Sequence, residues 1–196
     1  VHFSSLKNMS LTPQHYLASM NYGKRSGPMT IGTIAHALLL GHTEYVVFTG
    51  KVRRGKDWDA FEAQNEDKTI CTQKEYDAAK RIADSVMLNN DACLALAGSH
   101  EKEIEWTGLS GRKCAGRVDV VGGRFIADFK TTRFAKPEWF QGEALRRKYH
   151  AQLAWYLDGL GGPQKDAMIV AVESSPPFAV SVFKLTPRAL DEGRKQ

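Results

Sequence analysis

An α/β fold with a mixed central β-sheet flanked by helices is predicted by three features of this sequence. Residues 116–132, GRVDVVGGRFIADFKTT, place two runs rich in β-branched and aromatic residues on either side of Gly122-Gly123, the pattern of a hairpin. Helix-period stretches precede it, one of them opened by the capping-box pattern Thr72-Gln-Lys-Glu75. A helical stretch over Pro137–Leu160 then separates the hairpin from two further apolar runs, Ala167–Glu173 and Ala179–Leu185. Helices, sheet, helix and more sheet in that order specify a sheet covered on both faces.

The elements follow in order. Ser4 or Ser5 is suited to cap a short helix carrying Leu6 and Met9, and Pro13 to open helix through His15–Met20. Gly23–Pro28 reads as a basic loop with Lys24 and Arg25, Thr30–Leu40 as a helix ending near Gly41, and Tyr45–Thr49 as a short strand. Gly50–Lys68 reads as polar and irregular, with Lys51, Arg53, Arg54 and Lys56 bunched together. The amphipathic run from Tyr76 through Ile82, Val86 and Leu94 is predicted to continue to Gly98. Strands are predicted at Glu101–Trp106, Lys113–Val121 and Arg124–Lys130. One long helix or a broken pair covers Pro137–Leu160, ended by Gly161-Gly162-Pro163, and Pro187 starts a final helix.

The 196 residues suit one domain, residues 1–196, with a substantial core. Hydrophobic residues at 42% and charged residues at 25% are ordinary for a soluble globular chain. A net charge of +5 and a pI near 9.1 favour a polyanionic partner. Cys71, Cys93 and Cys114 lie far apart with no C-x-x-C, which excludes a disulfide framework or zinc site and fits a reducing cytosol. The longest apolar run, near Ile34–Leu40, is interrupted by His36, so no membrane span is expected. No signal peptide is visible, and a cytoplasmic location is expected.

The hairpin carries the chemistry. With Gly122-Gly123 as a two-residue loop, Val121 pairs with Arg124 and Asp119 with Ile126. Alternation then puts Asp119, Ile126, Asp128 and Lys130 on one face, with Asp119 and Asp128 diagonal neighbours at roughly 7–8 Å. Val118, Val120, Phe125, Ala127 and Phe129 point the other way, as core. Two facing carboxylates repel unless a cation lies between them, and Mg²⁺ takes one or two carboxylates while keeping several waters. Lys130 lies beside the same ion, where an ammonium orients an attacking water and offsets charge on a phosphorane-like transition state. A surface Asp–Lys pair on a half-exposed hairpin is the plain alternative.

Other candidates are weaker singly. His36 sits on an apolar helical turn, where most histidines are satisfied by a neighbour, although neutral imidazole also binds divalent ions. Gly32, one turn earlier, lets another segment approach closely. Glu101, Glu103 and Glu105 alternate along a strand; a solvated edge explains such a pattern, and one of them is a further acidic ligand candidate. Gln152 and Tyr156 stack on one helical face, within reach of a phosphate or the lysine. Arg146, Arg147 and Lys148 form either a solvated face or a contact to a nucleic-acid backbone.

Taken in order, Gly32-x-x-x-His36, Glu101, GRVD ending at Asp119, Ile126-Ala-Asp128-Phe-Lys130-Thr-Thr and Gln152-x-x-x-Tyr156 resemble the PD-(D/E)XK nucleases of the RecB and RecE exonuclease kind, most of all the RecE (exonuclease VIII) domains of phages and prophages. Ser5-Leu-Lys, Thr12-Pro-x-x-Tyr16 and RRGKDWDAF also look like that group, so the likeness covers most of the chain. It implies a restriction-endonuclease-like core in which His36, Asp119, Asp128 and the Phe129 carbonyl bind Mg²⁺ or Mn²⁺. Glu101 matches the upstream acid, Lys130 the catalytic lysine, and Gln152 and Tyr156 the helix motif. It further implies 5′→3′ degradation of linear duplex DNA, a homo-oligomeric ring, a strand-annealing partner and a role in phage-type recombination. The motif's Pro-Asp is Val118-Asp119 here, and the four cysteines of iron–sulfur RecB-like nucleases are absent. A 5′-phosphate pocket among Arg25, Arg53, Arg54 and Arg133 is also expected.

Overall fold

A computed structural model describes residues 1–10, 12–21, 27–41, 43–50, 52–108 and 110–196, with the backbone alone for 10, 19–21 and 27–29. The helices are α1 (Phe3–Leu6), α2 (Pro13–Asn21), α3 (Gly27–Leu40), α4 (Lys56–Ala63), α5 (Gln73–Met87), α6 (Asn90–Ala95), α7 (Pro137–Arg146), α8 (Tyr149–Leu160) and α9 (Pro187–Arg194), with a 3₁₀ turn at Lys7–Ser10. The strands are β1 (Tyr45–Phe48), β2 (Thr69–Thr72), β3 (Ser99–Thr107), β4 (Lys113–Val121), β5 (Phe125–Thr132), β6 (Asp166–Glu173) and β7 (Val180–Lys184). Lys24, Arg25 and Lys51 lie outside the described residues.

Among the described residues the main sheet runs β3-β4-β5-β6-β7, antiparallel except for the β5–β6 pair, and β1 and β2 form a separate parallel pair. One face carries Val120, Ala127, Phe129, Val170 and Val172 under Ile34 and Ala35 of α3 and Ile82 and Val86 of α5. The other carries Ile104, Val118, Ile126 and Ile169 under Phe140 of α7, Leu153 and Tyr156 of α8 and Leu190 of α9. This is the mixed, doubly covered sheet that the element order predicts. No helix among the described residues is long and apolar enough to cross a membrane.

Local chemistry sets several boundaries. Thr72 and Glu75 form the expected capping box at the start of α5. The amphipathic run that follows is two helices rather than one, because Asn89 caps a new one through the Ala92 amide. Leu94 is consequently 70% exposed instead of lining the core. No serine caps α1; His2 holds that position without a side-chain cap bond. Gly50–Lys68 is not irregular throughout, since α4 forms within it, and Trp58 and Phe61 pack on Phe48. The Pro137–Leu160 stretch breaks at Lys148, which adopts a left-handed conformation at φ 59°. Arg146, Arg147 and Lys148 thus straddle two helices, and Arg147 pairs with Glu143 at 2.8 Å.

The hairpin register differs from the expected one. Val121 pairs with Ile126, and the Gly122 amide donates to the Phe125 carbonyl at 2.9 Å, so the turn is centred on Gly123-Arg124. The Phe125 ring lies over Gly122, where a Cβ would meet it at 2.5 Å. The expected division of faces also fails at one residue. Val118 and Val120, two apart, pack into cores on opposite faces of the sheet, so alternation is broken between them, at Asp119.

Candidate metal centre and active site

Asp119 belongs to neither neighbouring ladder. β3 pairs with β4 at His100↔Val120 and Lys102↔Val118 but skips Glu101 and Asp119 between them. β4 pairs with β5 at Val120↔Ala127 and Val121↔Ile126 and nowhere beyond. The strands therefore fork, and the carboxylate of Asp119 enters the gap, where Oδ2 accepts the Phe129 amide at 2.9 Å. A strand residue sends its N–H and C=O to the same edge, so the Phe129 carbonyl faces the same fork.

Two further side chains meet Asp119 there. His36 of α3 brings Nε2 to 3.3 Å from Asp119 Oδ2 and 3.2 Å from Glu101 Oε1. Its helix lies close to β5 because Gly32 has no side chain: a Cβ there would come within 2.9 Å of Thr131 Oγ1. The His36 ring also rests edge-on against Phe129, centroids 6.1 Å apart. Glu101 reaches the cluster through a left-handed backbone conformation, φ 53°, which a non-glycine residue adopts only under local constraint. Glu101 is buried there while Glu103 and Glu105, which line the same cavity, stay exposed, so only Glu101 of the three joins the cluster.

Asp128 and Lys130 form the second half. Asp128 is buried, and Lys130 Nζ lies 2.5 Å from its Oδ2. Lys130 also sits 5.3 Å from the Tyr149 ring. On α8, Gln152 Nε2 donates to the Tyr156 hydroxyl at 3.0 Å. Tyr156 packs at Gly116 of β4, where a Cβ would collide with its ring at 2.7 Å. The ligand atoms of His36, Glu101 and Asp119 lie within 4.8 Å of one another, and Asp128 is not in that group. The structure thus draws Asp119 toward His36 and Glu101, while Asp128 is held by Lys130 at the same fork.

The electrostatics follow. Burial pushes the Asp128 carboxyl up to about 6, against the pull of Lys130. Burial acts the same way on Asp119, but the His36 hydrogen bond and the Lys130 charge outweigh it and hold that carboxyl below its usual value. Burial would depress His36, yet its bond to Asp119 and the charges of Asp119 and Glu101 keep the imidazole above its usual value. Lys130 would also be depressed by burial, but Asp128 and Asp119 hold its ammonium firmly protonated.

A divalent cation suits this donor set. The Asp128 Oδ1 atom is buried without a hydrogen-bond donor among the described residues, and buried Glu101 Oε1 has the His36 nitrogen 3.2 Å away. Carboxylate oxygens with one imidazole nitrogen are ligands that Mg²⁺ and Mn²⁺ accept.

The comparisons with known proteins bear on the family and the fold. A family described as "PDDEXK-like domain of unknown function (DUF3799)" matches residues 2–196. The chain belongs to that family. As a PDDEXK-like domain it falls in the superfamily that the motif order resembles, with the fold to match. Its structure aligns with a crystal structure of a candidate exonuclease from Eubacterium rectale over 99% of this chain and 75% of that one, at 14% identity and TM-score 0.74. A second crystal structure, SSO0001, aligns over 98% of this chain and 82% of that one at 12% identity, but its TM-score of 0.36 bears on nothing here. No curated protein matches.

Two basic residues with electrostatic ties to these groups escape the motif reading. Arg117 lies 2.7 Å from Glu101 Oε2 and tethers it; its spacing of two from Asp119 on a strand was the available signal. Lys7 has its ammonium depressed by burial and then by the charges of Lys130 and Arg147. No local pattern announces it. Of the arginines considered for a 5′-phosphate, Arg53 is engaged with Glu75 and the Ile70 carbonyl, Arg133 lies over Phe134, and Arg25 is outside the described residues.

Proposed function

We propose that this PDDEXK-like protein is a Mg²⁺-dependent DNA exonuclease, with Mn²⁺ as a substitute, that hydrolyses phosphodiester bonds of linear duplex DNA in the 5′→3′ direction. The observation that carries the reading is the forked strand pair, which gathers Asp119, Glu101, His36 and the Asp128–Lys130 couple at one place. Asp119, Asp128, Glu101, His36 and the Phe129 carbonyl would hold the ion. When bound, the ion supplies charge neutralisation at the phosphate and lowers the pKa of a bound water.

The chain's own groups do the rest. Lys130 stays protonated, so it acts as a fixed positive donor that orients water and offsets charge on the pentacovalent phosphate, not as a general base. Asp128 holds that ammonium in place. The Gln152–Tyr156 pair stands on the helix behind, with Gln152 placed to bond a phosphate oxygen or Lys130.

The RecE likeness of the motifs supports the polarity, the duplex substrate, a ring-shaped homo-oligomer, an annealing partner, a cytoplasmic setting and a role in phage-type recombination. The description of the Eubacterium rectale neighbour supports the exonuclease class. The test is end-labelled linear duplex with Mg²⁺, alongside covalently closed circular DNA. Mononucleotides released from the 5′ end, abolished by EDTA, with the circle left intact, are expected. Cleavage of the circle would reassign the protein as an endonuclease, and no metal-dependent release from any DNA would leave a non-catalytic binding module.

A further inference from the structure

Phe3 of α1 lines two cavities. One holds His36, Glu101 and Asp119; the other, of about 690 Å³, has Trp106 and Trp155 in its walls and Lys7, Arg112 and Lys148 on its lining. The two indoles meet edge to face, centroids 4.9 Å apart at 66°, and Trp155 also leans on the Phe3 ring at 6.3 Å. Trp155 stands on α8 next to Tyr156, so the aromatic wall and the proposed catalytic motif share one helix. Asp158 is the one carboxylate side chain among the described lining residues, and Arg194 already holds it at 2.9 Å. The cavity is therefore apolar and aromatic inside and positive overall, and its size suits a small organic ligand.

Lys148 adds a second, independent sign. It joins α7 to α8 in the left-handed region, at φ 59° and ψ 36°, where glycine or asparagine would serve with less strain. Lys148, in that conformation, is one of the residues that line the cavity.

We propose that this cavity seats one unstacked nucleotide of single-stranded DNA, its base against the Trp155 and Trp106 indoles and its phosphate at Lys148 and Arg112. An aromatic platform beside a cationic lining is how proteins hold single strands without reading sequence. The proposal rests on the nuclease reading, since Phe3 connects this cavity to the pocket of the acidic cluster and a separated strand would pass from one to the other.

The test is binding of fluorescein-labelled oligothymidylate to the full chain in EDTA, across a salt series, with thymidine monophosphate as a competitor. Lys148→Gly removes the charge and relaxes the backbone, so its melting temperature should rise while strand affinity falls about fivefold, equivalent to ~1 kcal/mol. Its log–log salt slope should shrink by about 0.7, the share of one phosphate contact on a single strand. Arg112→Gln should act likewise on binding, and bound oligothymidylate should quench tryptophan fluorescence less in Trp155→Phe. Unchanged affinity and salt slope in both Lys148→Gly and Arg112→Gln would overturn the proposal, as would monophosphate binding as tight as the oligonucleotide. Absence of DNA cleavage by the wild type would defeat the nuclease reading and leave these ratios standing. Cleavage with binding indifferent to both substitutions would defeat this proposal alone.

Discussion

The carboxylate of Asp119 accepts a hydrogen bond from the Phe129 amide at 2.9 Å, in the position where the carbonyl of a paired strand would otherwise stand. One side chain thus both props the fork open and points its negative charge at His36. These roles separate by substitution. Asp119→Ala leaves a buried amide without an acceptor and should lose about 1–3 kcal/mol of stability beyond Asp119→Asn, which keeps an acceptor oxygen. Both should abolish the rise in melting temperature produced by Mn²⁺. Urea unfolding of the metal-free variants, paired with melting in Mn²⁺, checks this; equal stability of the two would deny the amide contact.

Lys130 should affect rate and not metal capture. With Lys130→Ala, the Mn²⁺-induced thermal shift is expected to persist while cleavage of linear duplex falls by about 10²–10³, the usual effect of one preorganised donor. Cleavage at the wild-type rate would remove Lys130 from the chemistry.

Much of this site was legible because it is local in sequence. Asp119 and the Asp128-Phe-Lys130 triplet flank a turn, and Gln152 and Tyr156 are one helical turn apart, so strand and helix periods already suggest proximity. The convergence itself was not legible. It depends on a broken ladder at Asp119, a left-handed Glu101 and the approach of α3 across Gly32, each set by tertiary packing. Strand pleating alone brings the hairpin residues together, but by a register other than the observed one, in which Val121 pairs with Ile126. Pleating also does not foretell how close Asp119 comes to His36 and Glu101. α4 and β2 were missed for another reason: four-residue strands and a polar helix carry little periodic signal, and Trp58 and Phe61 make sense only once Phe48 is in place.

Gly116 should be intolerant for a steric reason. A Cβ there meets Tyr156 Cε1 at 2.7 Å, and that ring is buried in the core beneath α8. Gly116→Ala should destabilise by about 1–3 kcal/mol, as overpacking does, and displace the Tyr156 hydroxyl from Gln152. Gly123→Ala, with open space at its Cβ, is the matched control and should unfold close to the wild type in urea. Equal stability of the two variants would contradict the packing of α8 on β4.

The response to pH follows from which groups titrate between about pH 5 and 8. Asp128, raised by burial from 3.8 to about 6, opposes the fold once ionised, so its penalty grows from about pH 4 to about pH 6 and stays constant above that. His36, raised through its bond to Asp119 and the carboxylates around it, contributes stability at low pH that is lost as pH climbs through its folded value. Asp119 is depressed and Lys130 raised, so both keep one charge state throughout this range and their contributions stay constant. A cation must displace protons from Asp128 and His36 at low pH and meets ionised Asp128 and neutral imidazole at high pH. The melting-temperature rise produced by saturating Mn²⁺ should therefore increase from pH 5 to pH 8, and half-saturation should require about a hundredfold more metal per unit well below pH 6, where both protons must leave. A shift that is constant, or larger at pH 5, would place the ion on groups other than these.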